Sequence, residues 1–148
     1  MPDRSYIRVK AFALILDDAG ARHVVLRGVD PSATDEHFHR FLGGSVELGE
    51  RSEAAVVREI REELGATLLE PRLVQVIENV FEFDGELGHE VVFLYAGRLA
   101  EAHVVPLEGA EFYDNGQPMW VEWRPVDDAG LDVLLYPEMD VRRVLRIG

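Results

Sequence analysis

A layered α+β domain is the fold class this sequence predicts, and three observations predict it. Strand-like runs rich in Val, Ile and Phe lie on both sides of one strongly patterned helix, and a weaker helical tail follows them. A doubly wound βαβ sheet would need a helix for each parallel crossover, and the sequence offers too few. At 148 residues the chain suits one domain, residues 1–148, able to bury about two thirds of its extended surface.

The elements are expected in this order. From Tyr6 to Leu16, Ile7, Val9, Ala11, Ala13 and Ile15 alternate with a second set that turns from charged to apolar, as in a strand entering a core. Asp17-Asp18-Ala19-Gly20 supplies turn chemistry and His23 to Leu26 a returning strand, so the two should form a hairpin. Gly28 to Glu36, with Pro31, predicts a loop, and His37 to Leu42 a short strand ending at Gly43-Gly44. Ser52 to Leu64 is the clearest helix, with Ser52 as N-cap, Glu53 in its first turn and Gly65 as its stop. Leu73 to Phe83 and Glu90 to Leu99 form strands joined by a loop of five residues, Asp84 to Gly88. A polar stretch then leads to a short strand, Met119 to Trp123, and the helical tail.

Composition narrows the function. The chain carries 47% hydrophobic residues and no run near the roughly 20 apolar residues of a membrane helix, so no membrane partner is expected. No signal-peptide pattern opens it, and the cytoplasm is the expected compartment. With no cysteine, disulfides, thiolate nucleophiles and sulfur-bound zinc are excluded. The formal charge of −13 repels phosphate backbones and argues against nucleic-acid polymers, although bridging cations would still admit a small phosphorylated ligand. No exposed stripe demands dimerisation, and the oligomeric state stays open.

The specific chemistry lies between Gly43 and Ala66. At 100 degrees per residue, Glu62 falls about 60 degrees to one side of Glu59 and Glu63 about 40 to the other, so three carboxylates share one helix face. Val56, Val57, Ile60 and Leu64 form an adjoining apolar stripe that pins the helix to a sheet. Like charges about 4 Å apart repel by roughly 1 kcal/mol in water and about 4 at an effective dielectric of 20, so the cluster wants a cation. Oxygen donors without sulfur or a histidine pair suit Mg²⁺ or Mn²⁺, which would take further ligands from substrate phosphates. Ala55, one turn earlier, would leave room for a ligand, and a backbone carbonyl at Gly43-Gly44 could complete the metal shell. Arg58 could reach Glu62 and Glu50 and orient their carboxylates. Composition alone favours a plain solvated helix face held by i,i+4 pairs; the spacing decides against it.

That spacing resembles the Nudix box: Gly44, Glu50, Arg58, Glu59, Ile60, Glu62, Glu63, Gly65 and Ala66 stand at its positions without gap or substitution. Seven identities and two apolar matches would arise by chance on the order of 10⁻⁸ per start point. Gly43, Glu47 and Trp123-Arg124-Pro125 extend the likeness. The resemblance implies a Nudix-type α/β/α sandwich with a mixed β-sheet, which sharpens the α+β label. It further implies Mg²⁺- or Mn²⁺-dependent hydrolysis of a diphosphate linkage in a nucleoside triphosphate or nucleoside diphosphate derivative. Glu59, Glu62 and Glu63 would be the metal ligands with Gly43 beside them, Arg58 would belong to the catalytic set, and Gly44 and Glu50 would support the site. A base outside the box is common in the family, with Glu86, His89 and Glu90 as candidates here. The alternative is a noncatalytic nucleotide-sensing Nudix domain, though sensors usually lose box carboxylates. Substrate markers are thin: Phe38, Phe81, Phe83, Tyr95 and Trp120 could stack on a base, but aromatics on strands mostly belong to cores.

Overall fold

The computed structural model describes residues 6–29 and 37–147. Nine strands and two α-helices among them build two mixed sheets. The first sheet runs β4-β1-β6-β5, formed by β4 (Leu42–Ser45), β1 (Arg8–Ile15), β6 (Glu86–Leu99) and β5 (Leu68–Phe83). The second runs β7-β8-β2-β3-β9, formed by β7 (Ala110–Asp114), β8 (Gln117–Pro125), β2 (Arg22–Val29), β3 (His37–Arg40) and β9 (Leu135–Tyr136). Only β1–β6 and β3–β9 are parallel.

The period-2 pattern of β1 explains why helices cover the protein on both sides. Ala11, Ala13 and Ile15 join the core cluster holding Val56, Ile60 and Leu64 of α1 (Ser52–Leu64). Phe12 and Leu14 point the other way, into a second cluster with Val92, Leu94 and the α2 (Val141–Ile147) residues Val141 and Val144. This is the α/β/α layering that the sequence implied, with α1 pinned by its predicted apolar stripe. No helix among the described residues is long and apolar enough to cross a membrane.

Several local expectations change. β1 and β2 form no hairpin ladder: they belong to different sheets and touch through a single bridge, Leu16 to His23. The loop expected over 28–36 begins later, since β2 continues to Val29, and residues 30–36 lie outside the described residues. The strand expected to stop at the glycine pair is two strands, and Gly43-Gly44 lies inside β4, paired with Phe12 and Ala11. Asp84 and Gly85, both at positive φ, close the β5–β6 hairpin as a two-residue turn, so residues 86–88 belong to β6. Ser52 does not cap α1: Arg51 stands at the cap without a side-chain bond, and Ser52 Oγ lies 2.7 Å from the Tyr95 hydroxyl. Gly65 ends the helix as expected, at φ 66°.

Ile60 is fully buried between α1 and the sheets, whereas Leu48 is fully exposed. Ile60→Ala should therefore lower the unfolding free energy by about 2–5 kcal/mol, and Leu48→Ala should change it by less than about 0.5, in urea titrations.

Candidate active site

Two glycines let the chain pack closely at β4, Gly43 against β1 and Gly44 against α1. Gly43 has φ 139°, and a Cβ there would collide with the Ala11 carbonyl and Phe12. A Cβ on Gly44 would stand 2.6 Å from Glu59 Oε2. Only backbone without side chains lets the glutamate face of α1 tuck under β4. Glu63 goes deepest, 4% exposed, and accepts the Gly43 N–H at 2.9 Å. Burial pushes its carboxyl up to about 8, the charges of Glu59 and Asp114 push the same way, and the Gly43 N–H and Arg40 oppose them. Glu59 is also raised, first by burial and against the pull of Arg58.

Arg58 organises the other carboxylates. Its Nε and Nη2 donate to the two oxygens of Glu50 at 2.9 Å each, a bidentate fork, and Nη2 also reaches the Ser45 carbonyl at 3.1 Å. Its Nη1 donates to Glu59 at 3.0 Å and to both oxygens of Glu62 at 3.3 Å. Glu50 further accepts the Glu47 N–H at 3.1 Å, and these donors, Arg58 foremost, hold its carboxyl down at about 2. The expected reach of Arg58 to Glu50 and Glu62 is thus present, and Glu59 is added to it. Glu62 stays half-exposed, its side chain 54% accessible.

The three box glutamates lie on one face but do not converge. Among the described residues no group of three or more His, Asp or Glu side chains is arranged to hold a metal ion. The cause is visible: Arg58 holds Glu59 and Glu62 while Glu63 turns to Gly43. Ala55 does not border this face, because it is completely buried in the core.

The candidates outside the box lie on β6, not on a loop. His89 Nε2 sits 3.2 Å from Glu78, across the β5–β6 pair. Glu90 pairs in register with Arg8 and Asn79, and its charge reaches Lys10. None of Glu86, His89 and Glu90 figures among the groups that shift Glu59 or Glu63. Asp114 does, from the end of β7, and the sequence reading missed it by treating its segment as a polar loop. The available signal was Asn115-Gly116, a two-residue hairpin turn with both residues at positive φ, preceded by alternating residues 110–114. Of the aromatic candidates, Tyr95 is buried, Phe81 lies over Gly88, and Trp120 Nε1 donates to Glu122. Phe38 makes edge contacts with Phe83 at 6.4 Å and Tyr136 at 5.5 Å.

A family model described as the NUDIX domain matches residues 7–143. Among solved structures, the chain is similar to a MutT NUDIX hydrolase from Burkholderia pseudomallei, at 24% identity and a TM-score of 0.64, over 97% of this chain and 98% of that one. It is similar to a MutT protein from Methanosarcina mazei Go1 at 20% identity and a TM-score of 0.64, over 95% and 94%. A NUDIX hydrolase from Nitrosomonas europaea gives 17% identity and 0.63, over 95% and 89%. At these identities the structures speak for the fold. No curated protein matches the chain.

The raised Glu63 carboxyl makes stability depend on pH. The unfolded chain releases this proton near 4.5 and the folded chain near 8, so folding takes up a proton between those values and stability falls as pH rises through them. In EDTA, Glu63→Gln should melt above wild type at pH 8.5, and the gap should narrow toward pH 5, as thermal melts across that range will show.

Proposed function

The chain belongs to the Nudix family of hydrolases, and on that premise we propose that it cleaves a diphosphate linkage in a nucleoside triphosphate or nucleoside diphosphate derivative, using Mg²⁺ or Mn²⁺. One observation carries the proposal: two box carboxylates, Glu59 and Glu63, pack against a glycine pair that leaves no room for a side chain, with Glu62 on the same helix face, and among the described residues the deepest of them forms no ion pair.

The donor set suits a hard divalent ion. Glu59, Glu62 and Glu63 offer carboxylate oxygens, and the Gly43 backbone lies beside them. A bound cation would neutralise diphosphate oxygens and lower the pKa of a water. The protein's remaining work is positional, because substitution at phosphorus asks little covalent help from its catalyst. Arg58 ties Glu50, Glu59 and Glu62 together through one guanidinium. Glu59 and Glu62 would hold the cation together with Glu63, and the Arg58 guanidinium, anchored by its fork to Glu50, would lie beside them to face substrate oxygens. Glu63 would have to be ionised to serve as a ligand, and the Gly43 N–H and Arg40 favour its charged form. Asp114 joins Glu86, His89 and Glu90 as a candidate proton acceptor, supported by its electrostatic coupling to Glu59 and Glu63. The two core clusters share β1, which supports one domain acting as a unit.

A second proposal, a nucleotide-sensing domain without turnover, draws on the same arginine: Arg58 pairs with both Glu59 and Glu62.

Release of phosphate, pyrophosphate or nucleoside monophosphate from a panel of nucleoside triphosphates and diphosphate sugars, with Mg²⁺, separates the two. The hydrolase should turn over at least one member and lose on the order of 10²-fold in kcat in Glu62→Gln. Wild type and variant equally inert across the panel, with nucleotide binding retained, would leave the sensor.

A further inference from the structure

Apart from Glu63, the buried polar side chains among the described residues are His23, His39 and Arg124, and the proposed chemistry uses none of them. Strand register sets them on the sheet face away from α1: Arg124 pairs with His23 and Glu122 with Val25, while Val24, Leu26 and Val121 alternate into the α1 cluster. Glu122 accepts Arg27 Nε at 3.1 Å, Arg27 Nη2 at 2.6 Å and Trp120 Nε1 at 3.1 Å. It also lies 2.7 Å from His39 Nε2 on β3. On the other side of that ring, Nδ1 stands 3.0 Å from Arg124 Nη1. The same Nη1 donates to the Val133 carbonyl at 2.7 Å, and Nη2 donates to Asp128 at 2.8 Å. The His39 backbone N–H donates to the Leu134 carbonyl at 2.8 Å, and His39 pairs in register with Leu135 of β9. One imidazole therefore joins the second sheet to the segment 126–135 that leads into β9.

The neighbours of this ring fix its charge state. A guanidinium has donors only, so Nδ1 must accept from Arg124, and the ring proton must sit on Nε2 and point at Glu122. His39 is thus neutral, in one tautomer. Against its own burial, Glu122 is held at about 2 by Arg27, His39 and Trp120, so it stays an acceptor. A second proton, on Nδ1, would turn N–H against N–H and set two buried cations side by side. The ring would keep Glu122 and lose Arg124. Burial foremost, with the charges of Arg124 and His37, holds the His39 imidazole below its ordinary value against the pull of Glu122. The His37 ring lies 6.2 Å away on the same strand, Arg27 of β2 faces Glu122, and Asp128 faces Arg124. His23, beside Arg124 on β2, is pushed down to about 3, chiefly by burial, and stays neutral where His39 titrates.

We infer that His39 is the acid-sensitive catch of a latch: neutral, it lets Arg124 fasten the segment 126–135 and β9 to β3, and protonated, it repels Arg124 and loosens them. Opening also removes an aromatic contact, since Tyr136 of β9 meets Phe38 edge-on at 5.5 Å. The opened ring takes up its proton near 6.5 and the closed ring only at lower pH, so closure weakens as pH falls below 6.5. Hydrogen exchange of the full chain reads the latch at the residue 39 amide and across 133–136, corrected for intrinsic rates and taken relative to β1. Wild-type protection there should drop about tenfold from pH 7.5 to pH 5. His39→Gln, whose amide offers the same neutral donor and acceptor, should keep its protection throughout. His39→Lys, with donors only, should be open already at pH 7.5; if it does not fold, wild type against His39→Gln still decides. Nitrogen-15 shifts of the His39 ring should show a protonated Nε2 and a bare Nδ1 at pH 7.5. A protonated Nδ1 at that pH, constant wild-type protection, or an equal loss in His39→Gln would overturn the latch.

Discussion

The packing of Glu59 and Glu63 against Gly44 and Gly43, with Glu62 on the same helix face, is the constraint on which the rest of this structure depends. Acids on one helix face are tolerable in water, where screening is strong, but here one of them is almost completely buried. Some of the resulting repulsion is met inside the protein by Arg58, which binds Glu50, Glu59 and Glu62 at once. Among the described residues Glu63 is left to a single backbone N–H, too little to keep a buried carboxylate ionised at neutral pH. A protein that keeps such a group holds it for a ligand or bears it as a cost to stability.

The scaffold explains how the crowding is sustained. Ile60, Val56 and Leu64 anchor α1 in the core formed by β1 and its neighbours, so the helix cannot back away from β4. Gly65 in the left-handed conformation stops the helix within one turn of Glu62 and Glu63, and Glu50 at the other end is tied down by Arg58 and the Glu47 N–H. Helix, glycine pair and preceding loop therefore act as one stiff unit, with the carboxylates on its inner face and Asp114 of the second sheet opposite. Charge and shape pull in different directions here, as they do where a site is built for a bound ion.

Much of this unit was legible in the sequence because its elements are local. Helical periodicity placed the three glutamates on one face and the apolar stripe beside them, and Gly65 marked the end of the helix. What escaped was set by tertiary context. Ala55 falls between Glu62 and Glu59 in angle, inside the acidic face, and only the position of the sheet decides that it is core. Ser52 has the chemistry of an N-cap, yet the Tyr95 hydroxyl claims its side chain. The pairing of β1 with β6 instead of β2 is non-local and leaves no mark on either strand. Asp114 comes to the site from a strand distant in sequence, which spacing within one segment cannot reveal.

Proton release on cation binding measures the central claim most directly. Mn²⁺ should bind wild type near pH 7 and expel about one proton, since a ligand protonated up to about 8 must ionise to coordinate. Calorimetry in two buffers of different ionisation enthalpy reads that proton. Cation capture by Glu63 predicts that the release disappears and binding weakens in Glu63→Gln; Mn²⁺ binding with no proton released, or unaltered by that substitution, would contradict it.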